Sequence, residues 1–364
     1  MARTNRRSSI NKAALAQRRQ TSSRRGIKTA TFNVFNNEDI IENDVAKSIT
    51  SALWTNNVSK ITRFYTGSAQ SSSTAGQYQW DIYQYDPRYD ASASVEFNIA
   101  WGHFKGSGSK TGSGASSQGL TPSKAVYTAF ANMLLEAGDD QFTIDGVDTE
   151  PMYFISVQRK NFKQKMNPNG WMIQLKDSKI LHLIDDSRYN AATSVNGNRV
   201  YNIISGTLAD GQASTGTHKY GFFYPDLGIL AISHTAMDAH PGGFTANVAN
   251  IPGGGSYVGN LDKLYEWMDK AGARWFQGRA EEDISSTHYF VRVKNSEYNF
   301  SNNPTFVTGS GTLYNAGMVG DPKVYISTVG LYNEENELVA TAKLSKPLQK
   351  SFSREATIRV KLDY

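Results

Sequence analysis

The sequence predicts a β-rich α+β protein, built mainly of antiparallel sheets with a few amphipathic helices and a disordered basic N-terminal arm. Composition is the first reason. The 364 residues include 19 Tyr, 17 Phe and 31 Gly, with abundant Asn and Ser, a mixture that favours strands joined by turns. The second is a series of short β-forming runs from residue 152 onward, each bounded by polar turn residues. The third is the charge. Residues 1–28 hold nine Lys or Arg and no acid, and the first acid is Glu38.

The arm comprises residues 1–28, with Arg3, Arg6, Arg7, Lys12, Arg18, Arg19, Arg24, Arg25 and Lys28 as candidate partner-binding residues. The whole chain has 38 basic and 33 acidic residues. With the nine basic residues of the arm set aside, 29 face 33, so the body is mildly acidic. Such an arm is a tether for an anionic partner or for one that wraps an extended peptide. Ser9 can cap a short helix over residues 10–20, but Ile10, Ala13 and Ala14 are too small an apolar set to hold it alone. The arm is therefore expected to order on a partner. It has no apolar core of the kind a secretory signal needs.

Along the chain, Ile41, Val45, Ile49, Ala52 and Leu53 recur at helical spacing and predict a helix over 38–54. A second helix is expected over 121–137. Thr121 is its N-cap and Pro122 its first residue, and it runs through Val126, Ala129, Phe130, Met133, Leu134 and Ala137 to stop at Gly138. A third covers 260–271, with Leu261, Leu264, Tyr265 and Met268 on one face. Strands are expected at 152–158, 171–175, 198–204, 288–294, 324–332, 337–343 and 355–362. The polar turn Asn333 to Glu337 makes 324–343 a hairpin. In the last strand Ala356, Ile358, Val360 and Leu362 face one way and Thr357, Arg359 and Lys361 the other. Residues 106–119 form a Gly/Ser-rich loop, and 241–259 are a Pro/Gly-rich linker. The expected organisation is thus an arm (1–28), a central β-rich domain (29–240), the linker and a C-terminal β-rich domain (260–364).

Chemistry is sparse. There is no Cys, so neither disulfides nor thiolate metal sites exist. No apolar run is long enough to span a bilayer. Lys110-Thr111 evokes a phosphate loop, but Phe104 and Ser109 occupy the positions that need glycine. His234 and His240 flank Asp238 at a spacing that suits loop histidines better than metal ligands. Asp139-Asp140, Asp185-Asp186 and Glu281-Glu282-Asp283 read as solvated acids of turns and helix starts. Neither a G-x-S-x-G elbow nor any other catalytic constellation is present. The expectation is a protein that is not an enzyme and uses no cofactor or metal. Phe154, Arg159, Lys160, Phe162, Lys163 and Lys165 interleave aromatic and basic residues. That pattern fits an edge strand guarded by lysines better than a single-strand nucleic-acid platform. The Tyr-dense stretch 78–90 suits a protein contact as well as a core.

Four pieces near the C-terminus occur in a specific order: EYNFSNNP (297–304), VGLYN (329–333), AKLSKP (342–347) and RVKLDY (359–364). Residues 288–364 as a whole resemble the ending of virion structural proteins of contractile-tailed phages of the marine and cyanobacterial type, and tail baseplate components most closely. Residues 156–175 resemble the same proteins less specifically. The resemblance implies a non-enzymatic virion subunit assembled in the host cytoplasm. Broad contacts with other tail proteins and with itself, without membrane insertion, would hold it there, and the arm would latch onto neighbours through Arg–carboxylate pairs. The alternative is a capsid or neck protein whose arm contacts packaged DNA, with the steep salt dependence that phosphate neutralisation brings.

Overall fold

The computed structural model describes residues 35–67, 78–106, 121–212, 218–240, 244, 259–270, 275–301 and 303–364, the side chains of 43–46 excepted. The β-rich α+β class holds: every strand pairing with a described register is antiparallel. The chain divides into a larger unit, 48–283, and a smaller one formed by 1–47 and 284–364. The arm and nearly all of the 241–259 linker and the 106–119 loop lie outside the described residues. The two units divide at 47/48 and 283/284 rather than in that linker.

In the larger unit the strands are β2 (Lys60–Ile61), β3 (Tyr65–Thr66), β4 (Gln79–Tyr83), β5 (Val95–His103), β6 (Phe142–Ile144), β7 (Val147–Thr149), β8 (Pro151–Val157) and β9 (Lys165–Met166). They continue as β10 (Met172–Lys176), β11 (Ile180–Asp185), β12 (Thr193–Val195), β13 (Asn198–Thr207), β14 (Gly211–Gln212), β15 (Lys219–Tyr224), β16 (Ile229–Ser233) and β17 (Trp275–Gln277). One sheet runs β2-β17-β10-β11-β13-β15-β16-β8-β5-β4-β3. Its centre is covered on both faces, which is why β8 reads as a continuous apolar run. Tyr153, Ile155 and Val157 enter one core cluster, while Met152 and Phe154 enter another on the opposite face. β16 divides the same way, with Leu230 and Ile232 on the first face and Ile229 and Ala231 on the second. β8 is therefore a central strand between β16 and β5, not the lysine-guarded edge that the sequence suggested.

Each face is closed by a helix. Helix α1 (Pro122–Leu134) starts where expected, and the Lys124 N–H donates to Thr121 Oγ1. Its buried residues are Tyr127, Ala131 and Leu134, whereas Met133 faces solvent. The Tyr127 hydroxyl donates to the Thr149 carbonyl at 2.7 Å and accepts the Phe142 N–H at 2.9 Å, which satisfies a fully buried phenol. Phe130 stacks on Phe154 with centroids 4.0 Å apart. Gly102 makes the close approach possible: a Cβ there would lie 3.0 Å from the Tyr127 backbone and 2.9 Å from Phe154. The other face takes the third helix expected, Asn260–Asp269, which buries Leu261, Leu264, Trp267 and Met268.

The smaller unit contains β19 (Val324–Tyr332), β20 (Leu338–Lys350) and β21 (Ala356–Asp363), the last with the predicted alternation: Ala356, Ile358 and Val360 are buried. Two long strands, β1 (Ile40–Ala52) and β18 (Arg279–Val293), carry the chain between the units. Residues 286–293 of β18 pair with β21, whereas Ala280 and Glu281 pair with β9. The helix expected over 38–54 is absent and β1 takes its place. The Asn36 N–H donates to the Asp39 carboxylate at 3.1 Å, but only a single 3₁₀ turn, Asn37–Asp39, follows. Ile41, Val45 and Ile49 lie four apart, and four is also an even number, so one face of a strand collects them as readily as one face of a helix. Four β-branched aliphatics in this stretch disfavour the helix, and pairing with β18 decides for the strand.

Candidate interaction surface

The β19–β20 ribbon is built by its turn. Asn333 Oδ1 accepts the N–H groups of Glu335 and Glu337 at 3.1 and 2.7 Å, and Asn336 takes the left-handed conformation at φ 65°. This fixes the register in which Leu331 faces Ala340 and Val329 faces Ala342. Val329 and Leu331 then point inward and pack with Ile358 and Val360.

The opposite face remains in solvent. A Cβ on Gly330 would lie 3.0 Å from the Tyr332 ring and 3.1 Å from Leu338, so these two side chains close over the glycine. Tyr332 is 51% exposed, Leu338 56%, Val339 66% and Tyr325 61%. Phe300, Tyr314, Val319 and Tyr364 are also exposed. Among the described residues of this unit, more large apolar side chains face solvent than are buried, the reverse of the larger unit. Monomeric surfaces seldom concentrate apolar residues this way.

The edges add a second signal. The ribbon forms a two-stranded sheet of its own among the described residues. β20 carries Lys343, Lys346 and Pro347, residues that blunt an edge. β19, VYISTVGLY, carries no charge and no proline. An unguarded edge is a template for strand addition.

The nine basic residues of the arm, Arg3 through Lys28, lie outside the described residues. The aromatic–basic stretch at 153–165 is not a binding platform. Phe154, Phe162 and Lys165 are buried, and Arg159 Nη1 donates to the Asp226 carbonyl at 2.7 Å. Lys163 pairs with Glu282 at 2.5 Å.

The acids also differ from the sequence reading. Asp185 is buried, and burial pushes its carboxyl up even though it accepts the Asn169 and Ser187 N–H groups. Asp186, buried beside it, accepts from Asn202 and Asn190 and pins the turn to β13. Glu281 and Asp283 lie in β18, not in a solvated turn. Lys165 Nζ reaches Asp283 at 2.8 Å and Glu281 at 3.5 Å, while Asn167 donates to Glu281 at 2.7 Å. Hydrogen bonding from Lys165 holds the Asp283 carboxyl below its ordinary range. These carboxylates are committed to holding strands together.

His234, expected in a solvated loop, is buried in a short helix, His234–Asp238. Its ring lies 6.0 Å from those of Trp101 and Tyr153, and its Nδ1 has no hydrogen-bond partner among the described residues. His103, also buried, accepts the Lys105 N–H at Nδ1. Desolvation pushes both histidines down to about 4. Among the described residues no group of three or more His, Asp or Glu side chains is placed to hold a metal ion, and no helix is long and apolar enough to cross a membrane. Comparison with protein-family models, curated proteins and solved structures finds no match.

The arrangement offers a binding surface: an uncharged strand edge and an apolar ribbon face, both on residues 324–350. Sequence reasoning found the hairpin but not its exposure. The inner face collects Ile326, Val329 and Leu331, brought to one side by an irregularity between Ile326 and Thr328, while Tyr325 and Tyr332 lie on the outer face. A strand that is apolar on both faces must be covered on both.

Proposed function

We propose that this chain is a non-enzymatic structural subunit of a phage virion, placed in the contractile tail baseplate. It joins neighbouring subunits through its smaller unit and is latched by its basic arm. One observation carries the reading: the uncharged β19 edge and the solvent-facing apolar side of its ribbon fall within residues 288–364, the stretch whose sequence resembles virion structural proteins. Assembly surfaces are enriched in Tyr and Phe, and the exposed residues here are of that kind. Burying an apolar face and completing a sheet edge supplies both affinity and register.

The arm then contributes at assembly. Its seven arginines suit carboxylates on an adjacent subunit, and their ordering entropy is spent only when the partner is present.

Immunogold labelling tests the placement, with an antibody to this chain applied to particles made by the phage that encodes it. Label at the distal end of the tail is expected. Label on the head or at the head–tail junction would replace the baseplate with the capsid or neck and return the arm to packaged DNA. Unlabelled particles would remove the virion reading.

A further inference from the structure

The larger unit carries a cleft of about 400 Å³ between the 60–65 segment and the turn after β4, distant in sequence from the ribbon and independent of the assembly reading. Its size is at the small end of the range for small-molecule sites. One wall comes from β2 and the residues that follow it, with Lys60, Arg63 and Tyr65. The other is the turn after β4, with Gln84, Tyr85 and Tyr89.

The two walls differ in chemistry. On the first, the Lys60 ammonium sits 4.0 Å from the centroid of the Trp275 ring, a contact that positions the charge without neutralising it. Arg63 is exposed and pairs with no carboxylate among the described residues. This wall presents two positive charges.

The second wall is rigid and rich in acceptors. Asp86 takes a two-pronged bond from Arg88, at 3.0 Å from Nε and 2.7 Å from Nη2, and its carbonyl accepts the N–H groups of Tyr89 and Asp90. Asp90 accepts the Ser92 N–H at 2.8 Å and its hydroxyl at 2.6 Å. These bonds fix the turn in one shape and leave further lone pairs on both carboxylates. Gln84 Oε1 is buried and accepts from no group among the described residues. Tyr89, 86% exposed, and Tyr85 offer ring faces, and the Tyr85 hydroxyl is steadied by Asn56 Nδ2 at 3.1 Å.

A ligand that fits must carry one anionic group for Lys60 and Arg63, several O–H or N–H donors for Gln84, Asp86 and Asp90, and an apolar face for tyrosine. A polyanion fits poorly: Asp86 is paired with Arg88, but the Asp90 carboxylate is bonded only to Ser92 among the described residues and repels further negative charge, and an acidic peptide or a phosphodiester chain has too few donors. A uronic acid fits all three demands. It has a single carboxylate, hydroxyls around the ring and a C–H face that lies on an aromatic side chain. We propose that this cleft binds an acidic saccharide of the uronate class. The carboxylate meets Lys60 and Arg63, the hydroxyls meet the acceptor wall and the ring rests on Tyr89.

Titration of the full chain with an oligogalacturonate by calorimetry tests this, beside a neutral galactose oligomer and a poly-glutamate peptide. Arg63→Ala and Tyr89→Ala are the variants. Both side chains are exposed, so the melting temperature should not move. The expected result is saturable binding of the oligogalacturonate that weakens about tenfold or more in either variant (about 1.4 kcal/mol), weakens with salt and exceeds that of the neutral oligomer by a similar factor. Absence of binding at millimolar concentration, parental affinity in either variant, or equal or tighter binding of poly-glutamate would each overturn the proposal.

Discussion

Lys165→Met is expected to destabilise the larger unit by about 3 kcal/mol, read as a lower urea midpoint at unchanged slope. Lys165 is buried between Asp283 and Glu281, at 2.8 and 3.5 Å. The pair joins β9 to β18, where Ala280 faces Met166 and Glu281 faces Lys165. Methionine retains most of the apolar stem and removes only the charge, so the loss measures two carboxylates left without their cation rather than a cavity. Replacing Glu281 and Asp283 together with Gln and Asn in the Lys165→Met background should recover part of the loss, because no half-buried carboxylate then remains without its cation. The pH dependence follows in sign. Asp283 is held below its ordinary range, so its contribution is present above the unfolded carboxylate value and fades as pH falls through the folded one. A variant as stable as the parent would show the cluster to be water-screened and energetically idle.

The second large effect is acid lability between pH 6.5 and 4. His103 and His234 are buried, and desolvation lowers each to about 4. The unfolded chain therefore binds more protons than the native one across this interval, and stability must rise with pH through it. A shift of about 2.5 units corresponds to about 3 kcal/mol per histidine, fully present above pH 6.5 and lost on approach to pH 4. Repulsion from the His103 ring is part of what holds His234 low. Asp185 works in the opposite direction, since its raised carboxyl is easier to protonate in the native state. Urea unfolding at pH 7 and pH 4.5 should differ by several kcal/mol. Substituting His103 and His234 with Gln should flatten that difference, although Trp101 and Tyr153 must repack around the new amides. An undiminished pH slope in the double variant would place the acid sensitivity elsewhere.

These sites show where sequence reasoning stops. Helix α1 was legible because Thr121 and Pro122 mark its start by local chemistry. β21 was legible because one of its faces is buried and the other solvated, so the alternation from Ala356 to Lys361 reports the fold directly. β1 was misread because its aliphatics lie four apart, a spacing shared by helix and strand, and only β18, more than two hundred residues later, chooses between them. The carboxylates at 185–186 and 281–283 were misread for a related reason. Adjacent acids are solvated unless distant segments supply donors, and here Asn169, Asn202 and Lys165 do so. The cleft was visible only as tyrosine density at 78–90. The cations that give it a chemical preference come from another segment and are brought opposite by the pairing of Tyr65 with Tyr83.

The β19–β20 ribbon binds these observations to function, because it is the part of the molecule whose own contacts leave it incomplete. Under the proposed function, the incorporation into particles of a chain carrying Tyr332→Ser, Leu338→Ser and Val339→Ser, compared with the parent chain, is the most direct test. All three side chains face solvent, so the purified variant should melt at the parent temperature. The account predicts that this folded variant is missing from purified particles while the parent chain is present. Incorporation of the variant at the parent level would contradict it and move the assembly surface away from residues 324–350.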